Sequence, residues 1–230
     1  MDIREKKHLV LLGFILLLLG IQPFAHGVVS GFILYDVLAA IATVVILLVV
    51  FDDVTQRRLT LLFAAPAVAS NILLHFVPPQ YAATCALTYH FFAAAFFGIA
   101  VGVILHNAFR KRAIAIDQII AGINGFLIAG VAWGNLFLAI ELLAPGSYAM
   151  NDRVAAEMED VHSRRFEFNH MSFAILSGIG FDDLTPAGRI ARTLAWFEAS
   201  FGLFYVAVII GLLVGLKMSP GSSDDHSASS

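Results

Sequence analysis

Charge is what this chain has least of. Only 13% of its 230 residues are Asp, Glu, Lys or Arg, about half the share found in a soluble globular domain. Cysteine is nearly absent too. Cys85 stands alone, which excludes an intrachain disulfide and leaves the redox compartment open. No His-Glu-x-x-His pair and no phosphate-cradling glycine loop occurs. A net charge of −3 offers no basic footprint, so no nucleic-acid partner is expected.

What fills the chain instead is apolar: 59% of the residues are hydrophobic and the mean hydropathy is +0.84. Near-chargeless runs can be drawn at about 8–25, 30–51, 59–77, 82–106, 116–143 and 191–217. As helices rising about 1.5 Å per residue, each is long enough to cross roughly 30 Å of hydrocarbon. Lipid offers the backbone no hydrogen-bond partner, so helices are the expected form. Pro23, Pro66, Pro78 and Pro79 sit near ends or invite a kink.

Basic residues alternate along this series. Arg4, Lys6 and Lys7 precede the first run, Arg57 and Arg58 follow the second, and Arg110-Lys111-Arg112 follows the fourth. The connections near His26 and Pro78-Pro79 carry no Lys or Arg. By the positive-inside rule both termini are expected in the cytoplasm, with the segment between runs five and six outside. A second reading makes residues 1–27 a cleaved signal peptide, because Lys6-Lys7 and an apolar run lead to Ala25-His26-Gly27. Arg110-Lys111-Arg112 also suits anionic lipid, although topology alone accounts for it. No run contains an arginine ladder, so gating charges for steep voltage dependence are not expected.

The connection between runs five and six has its own pattern. Residues 146–168 are polar and charged and suit a helical turret. Phe166 to Phe181 follows, too short to cross twice and too apolar for a free loop. A re-entrant segment is expected, a helix going in and extended chain coming out. Within it lies Ser172-Phe173, then Ser177 at the helix end and Gly178-Ile179-Gly180-Phe181-Asp182-Asp183, trailed by Leu184-Thr185-Pro186.

These residues, about 166–217 with the run after them, resemble the pore helix, filter and inner helix of potassium channels. The pattern there is Thr-x-Gly-Tyr/Phe-Gly-Asp, with Ser-Phe common in the pore helix of small bacterial members. The resemblance implies an all-α membrane protein with six transmembrane helices, a re-entrant pore helix and filter between the fifth and sixth, and a homotetramer. It divides the chain into a four-span bundle (1–112), a pore domain (113–217) and a disordered cytoplasmic tail (218–230). No cytoplasmic ligand-binding domain is expected after Lys217.

In such a filter four strands point carbonyl oxygens inward and replace the hydration shell of the ion. The resemblance therefore assigns ion conduction to Gly178, Ile179, Gly180, Phe181, Asp182 and Asp183. The implied permeant ion is a monovalent cation, potassium by family, and no resident cofactor or metal is expected. Two departures stand out. Gly178 replaces the threonine and loses its hydroxyl ligand. Asp182 replaces the second glycine, which costs about 1 kcal/mol or more in a left-handed conformation. In a tetramer Asp182 and Asp183 would form two rings of carboxylates that resist full ionisation without bound cations. The rings either concentrate cations at a widened, poorly selective filter, or the filter is collapsed or plugged. On this alignment, Gly178→Thr with Asp182→Gly should raise potassium selectivity.

Other polar residues fall within or near the runs. Asn71, His75, His90 and Asn124 read as interhelical hydrogen-bonding groups. Asp36 is either an intramembrane carboxylate or a hydrated interfacial one. Glu141 either braces the pore helix through Arg164 or Arg165, or is solvated. Glu198, by resemblance, sits behind the filter or faces the outer vestibule. His162 and His170 flank the pore helix and titrate near neutral pH, which suits either proton gating or ordinary turret histidines. Gly202, Gly211 and Gly215 serve as hinge or close packing, the Gly211–Gly215 spacing favouring packing. Lipid, proton or a soluble regulatory partner are all open as the trigger. The alternative to a channel is a non-conducting sensor or scaffold of channel-like build. Enzyme chemistry is not expected, because Ser177 and His170 lie almost two helical turns apart.

Overall fold

In the computed structural model the described residues are 7–24, 29–110, 116–158, 161–180 and 183–218. They form eight helices and one two-stranded ribbon. The helices are α1 (Lys7–Ile21), α2 (Val29–Val50), α3 (Val54–Leu73), α4 (Pro79–Arg110), α5 (Ile116–Leu143), α6 (Asp152–Glu157), α7 (Val161–Leu176) and α8 (Arg189–Met218). The strands are β1 (Tyr148–Met150) and β2 (Leu184–Pro186). A short 3₁₀ turn, Gln22–Phe24, extends α1.

Five of the helices are long and apolar enough to cross a membrane: α1 with its extension, α2, α4, α5 and α8. Many of their large apolar side chains face outward. Leu17, Leu48, Leu203 and Phe204 are all more than half exposed. In water such a surface would drive aggregation, whereas in lipid it is the ordinary outer coat. The chain is an integral membrane protein.

α3 departs from expectation. The expected run at 59–77 begins earlier, at Val54, and ends at Leu73, with turns through residues 74–77. Asp53 explains the early start. Its carboxylate accepts from Thr55 N at 3.3 Å and caps the helix. Arg57 and Arg58 therefore lie on the first turns of α3 rather than in a loop. Arg57 reaches back to the end of α2, donating from Nε to Phe51 O (2.6 Å) and from Nη2 to Leu48 O (3.2 Å). Those carbonyls have no partner within their own helix, so a cation beside them is favourable.

α5 is the axis of the fold. It packs along α4 on one side and against α7, α1 and α8 on others. One apolar interior joins α1–α5 to the end of α7 and to α8, with Phe51, Phe96, Ala100 and Ile128 essentially inaccessible. A second cluster lies beneath the turret, where Phe137, Val154, Phe168 and Ala191 are fully buried. Because lipid tails are as apolar as these side chains, close packing rather than exclusion from water holds the clusters together. This second cluster fixes α7 between α5 and α8.

Candidate pore site

α7 is the helix expected from the pattern, begun earlier than the apolar stretch that announced it. Its first turns come from the polar segment assigned to the turret. Close contact with α5 depends on absent side chains. A Cβ at Gly134 would lie 2.3 Å from Asn169 Oδ1 and 3.0 Å from its Cα. At the far end, a Cβ on Gly202 of α8 would lie 2.1 Å from the carbonyl oxygen of Leu176. Gly202 is thus a packing residue against the end of α7. Gly211 meets nothing within 4 Å in the chain, and nothing is described around the Cα of Gly215.

Three polar residues on α7 reach three different surroundings. Ser172 is fully buried; its Oγ lies 2.8 Å from Gly130 O on α5 and 2.5 Å from Glu198 Oε1 on α8. Glu198 is fully buried behind α7, and its Oε2 has no partner among the described residues. Asn169 Nδ2 donates to Gln22 Oε1 at 3.4 Å. Arg165 turns toward α2 and α3. Its Nη1 donates to Asp36 Oδ1 at 2.5 Å and its Nη2 to Asn71 Oδ1 at 3.2 Å. His75 Nε2 lies 2.8 Å from the other oxygen of Asp36. The guanidinium sits 4.6 Å from the centre of the Tyr89 ring and 5.7 Å from that of Tyr35, a cation–π arrangement.

Asp36 is therefore a buried, paired carboxylate, not a hydrated one. Asn71 and His75 bond across elements as expected. So do His90, to Asn135 Oδ1 at 2.8 Å, and Asn124, to His8 O at 2.8 Å. Glu141 braces the chain leading into β1, not α7, and does so without an arginine. Its carboxylate accepts from Gly146 N (2.8 Å) and Tyr148 N (3.1 Å), holding the entry to β1. Arg164 Nε instead donates to Met158 O at 2.6 Å. Burial pushes the Tyr148 hydroxyl above its ordinary range, and the Glu141 and Glu198 carboxylates push it the same way.

The turn after α7 does not run out as extended chain at once. Gly178 N donates to Ile175 O (3.0 Å) and Ile179 N to Ala174 O (2.9 Å). This pair of bonds, with Gly178 at φ +77°, is a Schellman cap. Gly180, at φ +103°, donates to Ala174 O as well, at 3.2 Å. Ser177 Oγ donates back to Phe173 O at 2.7 Å. Ile179 is 84% exposed. Phe181 and Asp182 lie outside the described residues, as do Lys111, Arg112 and the tail from 219; the side chain of His162 is not described either. His170 is exposed and stacks on Phe166.

Asp183 then anchors the returning chain. Its carboxylate accepts from Asn151 Nδ2 and Arg153 Nη2, both at 2.5 Å, and its carbonyl accepts from Asn151 N at 3.2 Å. Arg153 also stands 3.9 Å from Glu167 on α7. Leu184, Thr185 and Pro186 pair antiparallel with Met150, Ala149 and Tyr148. A capped helix, a glycine turn and an acidic return tied to the segment before α7 thus lie between two long apolar helices. Residues 136–216 match the family model described as "Ion channel".

This segment is similar to a potassium-channel-type pore domain. No curated protein and no solved structure matches the chain significantly. Within the matched segment, sequence reasoning pointed to Glu198, Gly202 and Ser177 individually. It missed the partners. Arg165 to Asp36 spans 129 positions and Asp183 to Arg153 spans 30. No periodicity signals either pairing. The only available hint was the presence of isolated charges in apolar surroundings, which demand a counter-ion.

Proposed function

We propose that this chain is a passive channel for monovalent cations, built as a homotetramer in which α5, α7 and α8 of each copy surround a common axis. Potassium is the ion implied by family resemblance. Gly178, Ile179, Gly180, Phe181, Asp182 and Asp183 are the proposed filter, and α1–α4 the peripheral bundle. α3, with its arginines at one end only, is the third span and completes the six. Without an arginine ladder, conductance should vary little with voltage. The termini face the cytoplasm, and a bacterial plasma membrane is the proposed setting. The observation that carries this reading is α7 itself: a short helix between two long ones, its C-terminus followed by Gly-x-Gly and its return fixed at Asp183, inside the segment matched to ion channels.

A second reading has its own support. Residues 178–180 fold back onto the last carbonyls of α7 instead of leaving it as an extended strand, which suits a non-conducting sensor or scaffold. One experiment separates them. The purified full chain is reconstituted in liposomes and cation flux is followed, with particle mass measured in parallel. A channel gives cation-selective flux from particles of four copies, and bi-ionic potassium and sodium recordings then assign the ion. Folded tetramers that pass nothing favour the scaffold, and monomers end both the shared axis and the channel.

A further inference from the structure

The guanidinium of Arg165 is the unusual group in this fold. Arg165 and Asp36 are each 4% exposed, and their pair connects the first turns of α7 to the early part of α2. Apolar residues of similar volume commonly stabilise a buried site as well as an ion pair or better. A pair of this kind is better suited to fixing geometry than to adding stability. The surrounding packing supports that role. α7 lies closely against α5 and α8, whereas its hydrogen bonds to α2 and α3 are made by Arg165 to Asp36 and Asn71. The ring of Tyr89 places α4 against the same guanidinium. Three peripheral helices therefore converge on one side chain of α7. The planar fork matters here, since its two terminal nitrogens serve Asp36 and Asn71 separately.

We propose that Arg165 is a positioning residue through which α2, α3 and α4 set the placement of the outer end of α7, so that movement of the peripheral helices changes how often the pore is open. This rests on the reading of α7 as a pore helix. It requires no contact between Arg165 and a permeating ion. Its signature is altered opening with unaltered permeation.

The test uses the full chain in planar bilayers, with deuterium exchange of α7 measured on the same reconstituted protein. Asp36→Asn removes the charge at nearly constant volume. Arg165→Lys keeps the charge and loses the fork. Each is expected to lower open probability about tenfold or more, with unitary conductance and bi-ionic reversal potential unchanged, and to speed exchange over residues 164–169. The swap Asp36→Arg with Arg165→Asp re-forms the ion pair without the bond to Asn71 or the contact with Tyr89, and should recover opening only in part. Where Asp36→Asn fails to assemble, Arg165→Lys carries the same comparison. Unchanged exchange and opening in the single variants would overturn the proposal, as would a change in reversal potential. A silent wild type whose single variants exchange faster would refute the channel and the gating role, while the link between α2 and α7 stands.

Discussion

At residue 178 the backbone turns left-handed, with φ at +77°, because two amides must return to the last carbonyls of α7. The filter pattern that this segment resembles has threonine at this place. A β-branched residue there would lose about 1–2 kcal/mol to steric contact. Gly178→Thr, expected together with Asp182→Gly to raise potassium selectivity, meets this cost. Thermal unfolding in detergent should show Gly178→Thr less stable by about that amount, with Gly178→Asn less affected because asparagine tolerates the conformation. Equal stability of the two variants would mean the cap is not kept in the assembled protein.

Glu198 poses the other problem at this scale. Ser172 has one hydroxyl proton and two oxygens within reach, Gly130 O and Glu198 Oε1. Glu198→Gln keeps an oxygen that can accept from Ser172 in the same volume, and should stay within about 1 kcal/mol of the parent. Glu198→Ala empties a fully buried site and strips Ser172 of a partner. It should cost about 1–3 kcal/mol for the lost polar partner alone. Denaturation of the two variants side by side measures the difference.

Among the elements, α7 depends most on its neighbours. Its own sequence is mixed, with Arg164, Arg165, Glu167 and Asn169 among Phe166, Phe168 and Met171, and no simple apolar stripe marks a single face. It stands because α5 and α8 leave room for it. Gly202 is the tightest point, where an added methyl would strike the backbone oxygen of Leu176. Backbone cannot move aside as a side-chain tip can. Gly202→Ala should therefore destabilise by about 1–3 kcal/mol through overpacking. Gly211→Ala, with open space around it, serves as the contrast. If Gly202 were chiefly a hinge, the substitution would alter opening and leave the unfolding midpoint in place.

At the scale of the whole molecule, the long helices were legible from the start. A bilayer leaves the backbone only itself to bond with, so uninterrupted apolar runs of sufficient length had to become helices. α2, α4, α5 and α8 fall close to the runs drawn for them. α3 was less legible, since its start is set by a cap at Asp53 and not by hydropathy. The glycine motif also spoke from sequence, because Gly-x-Gly followed by an aspartate at the end of a short helix is locally encoded. What sequence alone determined, then, was a membrane chain with a channel-like segment near its C-terminal end. What only the tertiary structure decided was who meets whom: Arg165 with Asp36, Glu198 with Ser172, Asp183 with Arg153, and Gly202 with the end of α7. Hydrophobicity acts on each stretch of chain separately and records its pattern there. A buried charge or a missing methyl is a demand on whatever lies opposite, and packing alone supplies the answer.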